Sequence, residues 1–176
     1  MIEFTEGELK INFNDSKIEN FQKLDTQGKT IPQGMKFVDI VFNKNDVTYM
    51  IEIKNPSNSN SQANQITKYL TKLKNNEIIN HELVPKARDS YTYLHLMKEN
   101  KENLIYIVLL GIEKLFDEND RATFLLNFND RLKSNIKKEC DRPWERQYIK
   151  NILVFSIEDW NINFKNWKIS RNIKEG

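Results

Sequence analysis

A chain of 176 residues, 39% hydrophobic and 30% charged, fits one domain over 1–176 and can bury a sizeable core. The formal net charge of +2 gives no strong electrostatic signature, so any nucleic-acid surface has to be local. One cysteine, Cys140, and two histidines, His81 and His95, exclude a disulfide framework, a Cys-rich zinc site and a His-rich metal centre, and with no membrane-spanning stretch and no signal peptide in MIEFTEGELK the expected location is cytoplasmic.

Ile2–Phe4 and Leu9–Phe13 read as a small hairpin around Thr5-Glu6-Gly7-Glu8. Asp15 or Ser16 can cap a short helix over Lys17–Leu24, where Ile18, Phe21 and Leu24 make an apolar stripe with Glu19 beside it. Gln27–Gly34 is a loop or short strand broken by Pro32. Met35–Phe42 and Val47–Lys54 are rich in Val, Ile, Phe, Tyr and Thr and read as strands joined by the turn Asn43-Lys44-Asn45-Asp46. Pro56 ends the second strand.

Gln62–Lys74 has helical spacing in Ala63, Ile66, Tyr69, Leu70 and Leu73, with Gln65 and Tyr69 four apart on one face. Asn76–Asn100 holds one or two further helices, with Pro85 near a helix start and Lys86 and Arg88 ahead of Tyr91 and Tyr93. An amphipathic helix with a solvated charged end fits this order, and so does a strip that touches a nucleic-acid strand. His95, among apolar neighbours, reads as a core or rim residue. Leu104–Leu110 is a continuous apolar run suited to a central buried strand, ended by Gly111. Asp120–Glu139 is helical, Ile152–Ile157 is another buried strand, and Trp160, Phe164 and Trp167 pack a C-terminal tail.

The strands at 35–54 carry charge where a core is expected. Asp39 lies between Val38 and Ile40, and Glu52 lies between Ile51 and Ile53, with Lys54 following. Alternation puts Thr48, Met50, Glu52 and Lys54 on one face and Val47, Tyr49, Ile51 and Ile53 on the other, both largely apolar, as in strands covered on two sides. A four-residue loop pairs Phe42 with Val47, so Asp39 faces Met50 and meets Glu52 on the diagonal, about 7–8 Å away. A loop of odd length puts the two carboxylates on opposite faces. Mg²⁺ prefers oxygen ligands, and two carboxylates with a nearby ammonium suit phosphodiester cleavage. A salt-bridged hairpin on a wet face is the plainer alternative.

Asp39 followed by Glu52-Ile53-Lys54 resembles the signature of the PD-(D/E)XK, or restriction-endonuclease-like, nuclease superfamily, and Gln65-Ile66-Thr67-Lys68-Tyr69 resembles the Gln-x-x-x-Tyr of its RecB-like branch. The resemblance covers about residues 15–110. It implies an α/β fold with a mixed central β-sheet flanked by helices, an αβββαβ core with a C-terminal extension, and a βαβ crossover from Val47–Lys54 through Gln62–Lys74 to Leu104–Leu110. Asp39, Glu52, Lys54 and Gln65 are the catalytic residues it implies, with Glu19 as the extra glutamate, while Glu6 and Glu8 stay open for that place. Mg²⁺, or Mn²⁺ as a substitute, would rest on Asp39, Glu52 and the carbonyl of Ile53. The chain departs from the pattern in having Val38 before Asp39 in place of proline, and in the length of Asn76–Asn100.

The implied activity is metal-dependent hydrolysis of phosphodiester bonds in DNA, in preference to RNA, for defence against foreign DNA or for repair. The alternative is a catalytically silent module of the same fold that binds nucleic acid or docks a partner protein. The short chain points to a homodimer or a partner subunit as the source of specificity, and no membrane is involved.

Overall fold

A hairpin opens the chain. In the computed structural model, which describes residues 1–25, 32, 34–139 and 141–172, β1 (Ile2–Glu6) turns at Gly7 into β2 (Leu9–Phe13). Gly7 has φ +57, a conformation that costs glycine little. The C-terminal strand β8 (Trp167–Arg171) pairs antiparallel with β2 and completes a three-stranded sheet.

The central sheet has five strands in the order β3 (Ile18–Lys23), β4 (Ile40–Lys44), β5 (Val47–Lys54), β6 (Asn103–Leu110) and β7 (Asn151–Phe155). Pairing is antiparallel from β3 to β5 and parallel from β5 to β7, so the sheet is mixed. The parallel β5–β6 pair needs a crossover. It runs through α1 (Ala63–Lys74), a π turn (Ile79–Leu83) and α2 (Val84–Met97). Helices α3 (Glu118–Lys137) and α4 (Ile157–Asn163) follow β6 and β7. Among the described residues, no helix is long and apolar enough to cross a membrane.

Two cores flank the central sheet. Val41, Met50, Tyr106 and Val108 point to one side, against Leu73, Leu83, Ala87, Leu94 and Phe128 of the helices. Ile40, Phe42, Ile51 and Leu109 point to the other, against Leu9, Ile11 and Phe13 of the small sheet and Trp160 and Trp167. Strands β5 and β6 are buried on both faces, which is why their sequences read as nearly continuous apolar runs.

Three expectations need correction. The expected helix over Lys17–Leu24 is instead the strand Ile18–Lys23. Between Glu19 and Gln22 the pairing to β4 shifts by one residue, with Asn20 at φ 51. That bulge resets alternation, so Ile18 and Phe21, three apart, both pack into the aromatic side of the sheet and imitate helical spacing. Consequently, among the described residues no helix precedes the sheet.

The first organising strand is also shorter than the 35–42 run suggests. At 36 and 38 the backbone bonds to helix α2 instead of a neighbouring strand: Lys36 N–H donates to Asp89 Oδ2 at 2.9 Å and Val38 N–H to Ser90 Oγ at 3.0 Å. Finally, Asn43 and Lys44 belong to β4, and the turn is Asn45-Asp46 with Asn45 at φ 53. The register is Ile40↔Ile51 and Lys44↔Val47, two residues from the expected one. The shift is even, so every side chain keeps its expected face. Most of Gln27–Gly34 lies outside the described residues.

Candidate active site

Continuing the β4–β5 register by one residue sets Asp39 beside Glu52 instead of Met50. Direct cross-strand neighbours approach to about 4.5–5.5 Å at Cβ, closer than the expected diagonal. Asp39 is anchored at both ends: its carbonyl accepts from Leu24 N–H at 3.1 Å, and its Oδ2 accepts from Ile53 N–H at 2.6 Å. In an antiparallel pair one residue's N–H and C=O face the same neighbour, so the Ile53 carbonyl also lies on the Asp39 edge. Lys54 faces β6, where its carbonyl accepts from Gly111 N–H at 2.7 Å.

Glu52 has no solvent exposure. Burial, and then the neighbouring Asp39 carboxylate, push its pKa up to about 7. Burial likewise raises Asp39, against the pull of Lys86 and the Ile53 N–H. Lys54 Nζ stands 3.0 Å from Glu52 Oε1 and 2.5 Å from Glu82 Oε2. Burial alone would lower its pKa, but Glu52 and Glu82 hold it above the usual lysine range.

A second lysine enters from α2. Lys86 Nζ donates to Glu52 Oε2 at 3.0 Å and to Asp25 Oδ2 at 3.0 Å, and lies 3.5 Å from Asp39 Oδ1. The π turn ahead of α2 helps to aim this segment. Pro85 has no N–H for the carbonyl one turn back, and the His81 carbonyl accepts Lys36 Nζ instead, at 2.8 Å. Sequence reasoning offered for Lys86 a solvated helix end or a strip that touches a nucleic-acid strand; no spacing rule ties it to the strands, and the fold alone brings it in. Asp25 was missed for the same reason.

The N-terminal glutamates separate clearly. Glu6 lies near the site: desolvation and then the Asp39 carboxylate raise its pKa. Glu8 is occupied, accepting from Ser59 N–H at 2.9 Å and pairing with Arg171. Glu19 is exposed on β3 opposite Asn43, four residues along β4 from Asp39, and is not brought to the others. Gln65 caps α1 by accepting from Gln62 N–H at 3.0 Å. It also lines, with Tyr69, Lys54 and Ile53, an open cleft beside the carboxylates. The Tyr69 hydroxyl has no hydrogen-bond partner there, and burial raises its pKa. On the other side of Ile53, a wider cleft of about 540 Å³ is lined by Glu6, Asn55, Asn58 and Asn172.

Among the described residues no group of three or more His, Cys, Asp or Glu side chains is arranged to hold a metal ion by itself. A cation here would rest on two carboxylates and on backbone and solvent oxygens, a donor set that suits Mg²⁺. Two observations fit that use. Glu52 Oε1 is buried and accepts no hydrogen bond despite its ionic contacts. Among the described residues, five carboxylates (Glu6, Asp25, Asp39, Glu52 and Glu82) also lie about two ammoniums, Lys54 and Lys86.

Compared with protein-family models, curated proteins and solved structures, the chain finds no match.

Proposed function

We propose that this chain is a metal-dependent nuclease of the restriction-endonuclease-like type, hydrolysing phosphodiester bonds in DNA. One observation carries the reading: Asp39 and Glu52, with twelve residues between them in sequence, are set side by side at the buried end of a strand pair with Lys54 on the same face. The run β3-β4-β5-α1-β6, with its parallel crossover, supports the βββαβ part of the implied αβββαβ core, while among the described residues no helix precedes β3.

Mg²⁺ or Mn²⁺ at the two carboxylates would activate a water and neutralise charge on the scissile phosphate. The chain's own contributions follow from its geometry. Ile53 N–H fixes Asp39 Oδ2, and Asp39 Oδ1, 3.5 Å from Lys86 Nζ, is the oxygen left for a cation. Glu52, held in a dry pocket, becomes a full ligand once ionised. Lys54 is kept as an ammonium by Glu52 and Glu82, so it acts as a positive donor that orients water or a phosphate oxygen, not as a base. Gln65 and Tyr69 line the cleft where the strand would pass.

A catalytically silent module that binds nucleic acid is the second reading, favoured by the two lysines that already partner the carboxylates. Cleavage of single- and double-stranded DNA and of RNA, with Mg²⁺, Mn²⁺ or EDTA, separates them. The nuclease loses metal-dependent cutting by at least about a hundredfold in Asp39→Ala and Lys54→Ala. Cutting that survives both changes places the chemistry elsewhere, and binding without cutting supports the silent module.

A further inference from the structure

The position between Asp39 and Glu52 is filled by one group, the ammonium of Lys86. It touches Glu52 at 3.0 Å and Asp39 at 3.5 Å, and its remaining bond reaches outward to Asp25 at 3.0 Å. An ammonium has three donors and no acceptor; Lys86 donates hydrogen bonds to Glu52 and Asp25 and adds an ion pair with Asp39. The side chain of Lys86 is 13% exposed and that of Asp25 is 45% exposed, so the triad runs from the buried pair to the surface. Lys54 also reaches Glu52 Oε1 at 3.0 Å, but its second carboxylate is Glu82 at 2.5 Å, whereas Lys86 contacts both Glu52 and Asp39. We propose that Lys86 is an exchangeable counter-ion: it occupies the cation position in the metal-free protein and is displaced onto Asp25 when a divalent ion binds Asp39 and Glu52. This rests on the metal-dependent reading above and adds to it a residue that sets when the site is loaded.

The physical reason is charge. Two adjacent buried carboxylates, once both are ionised, repel one another and need a cation on the shared side. Lys86 supplies one that is tethered and therefore always present. A divalent ion brings twice the charge and open coordination positions, but it must displace that ammonium. Asp25 already holds one of the Lys86 donors, so the displaced ammonium moves outward without losing its last partner. At the surface it becomes a positive group at the entrance to the site, suited to a phosphate oxygen of an incoming strand.

The test is Mn²⁺ binding by the full chain, followed by calorimetry and by electron paramagnetic resonance, in the absence of nucleic acid. Lys86→Met is expected to bind Mn²⁺ at least about tenfold more tightly than wild type, since no ammonium has to leave. Asp25→Asn is expected to bind more weakly than wild type, and its effect should shrink in the Lys86→Met background, because Asp25 acts largely by receiving Lys86. Equal affinity in wild type and Lys86→Met, or weaker binding in the variant, overturns the exchange while leaving the nuclease reading intact. Absence of Mn²⁺ binding in every variant overturns both. Lysine side-chain nitrogen resonances in the wild type give the same answer without substitution: Mg²⁺ should move the Lys86 signal far more than the Lys54 signal. Unmoved Lys86 on saturation with Mg²⁺ sinks the proposal.

Discussion

Glu52 is fully buried with a pKa pushed up to about 7, and in the unfolded chain the same group ionises near 4.5. Across that window the folded protein keeps a proton that the unfolded chain has released. The stability from this group is therefore fully present below pH 4.5 and falls as pH rises to about 7. Asp39, also raised by burial, acts in the same direction. Urea denaturation at about pH 5 and pH 8 should show wild type losing more stability than Glu52→Gln between the two. Equal losses would mean that Glu52 stays ionised in the fold. If Glu52 is a metal ligand as proposed, Mn²⁺ affinity should move oppositely, rising through the same window, because a ligand carboxylate must be ionised. Asp39, Glu52 and Lys54 were legible because one hairpin brings them together and apolar neighbours made their charges conspicuous. Lys86 was not, since it reaches the same oxygens from the third position of a helix that only tertiary packing brings over the sheet.

Elements differed in legibility for reasons that lie in their backbones. The long, regular ones (β5, α1, β6 and α3) follow apolar periodicity. Strand β3 does not, because its bulge gives a strand the three-residue spacing of a helix. The segment 35–38 reads as strand by composition, yet its amides are claimed by two side chains of α2. That anchor also holds Asp39, the next residue. Ser90 is fully buried, so Ser90→Ala leaves the Val38 amide without a partner and should cost about 1–3 kcal/mol. Hydrogen exchange at the Val38 amide should accelerate with it. If the anchor matters to the site, Mn²⁺ affinity falls as well; unchanged affinity would show that the Leu24 and Ile53 bonds suffice to place Asp39.

At the scale of the whole molecule, the small sheet is the wall that brings Glu6 to the site, and Trp167 is central to its packing on the central sheet. Trp167 is 3% exposed. Its ring meets Phe13 at 6.0 Å, Phe42 at 5.1 Å, Tyr49 at 5.2 Å and Phe164 at 4.8 Å, so it touches the small sheet, β4, β5 and the chain after α4 at once. Its carbonyl accepts from Trp160 Nε1 at 2.5 Å, which locks α4 against β8. Removing this ring leaves a cavity that four elements share, and none can close it without leaving another partner. Trp167→Ala should therefore cost about 3–5 kcal/mol, while Trp167→Phe, which keeps a ring, should cost less. The sequence marked Trp167 only as part of a packed tail, because nothing local reveals that a C-terminal strand returns to pair with β2. That return has a functional consequence. Arg171 on β8 pairs with Glu8 and Glu113 and donates to Asn55 at 3.0 Å, so the wide cleft beside Ile53 is closed by both chain ends together. Loosening β8 in Trp167→Ala should then weaken nucleic-acid binding more than it weakens Mn²⁺ binding, since Asp39 and Glu52 sit on the far side of β5 from the aromatic cluster. A parallel loss of both would place Asp39 and Glu52 under the control of the small sheet.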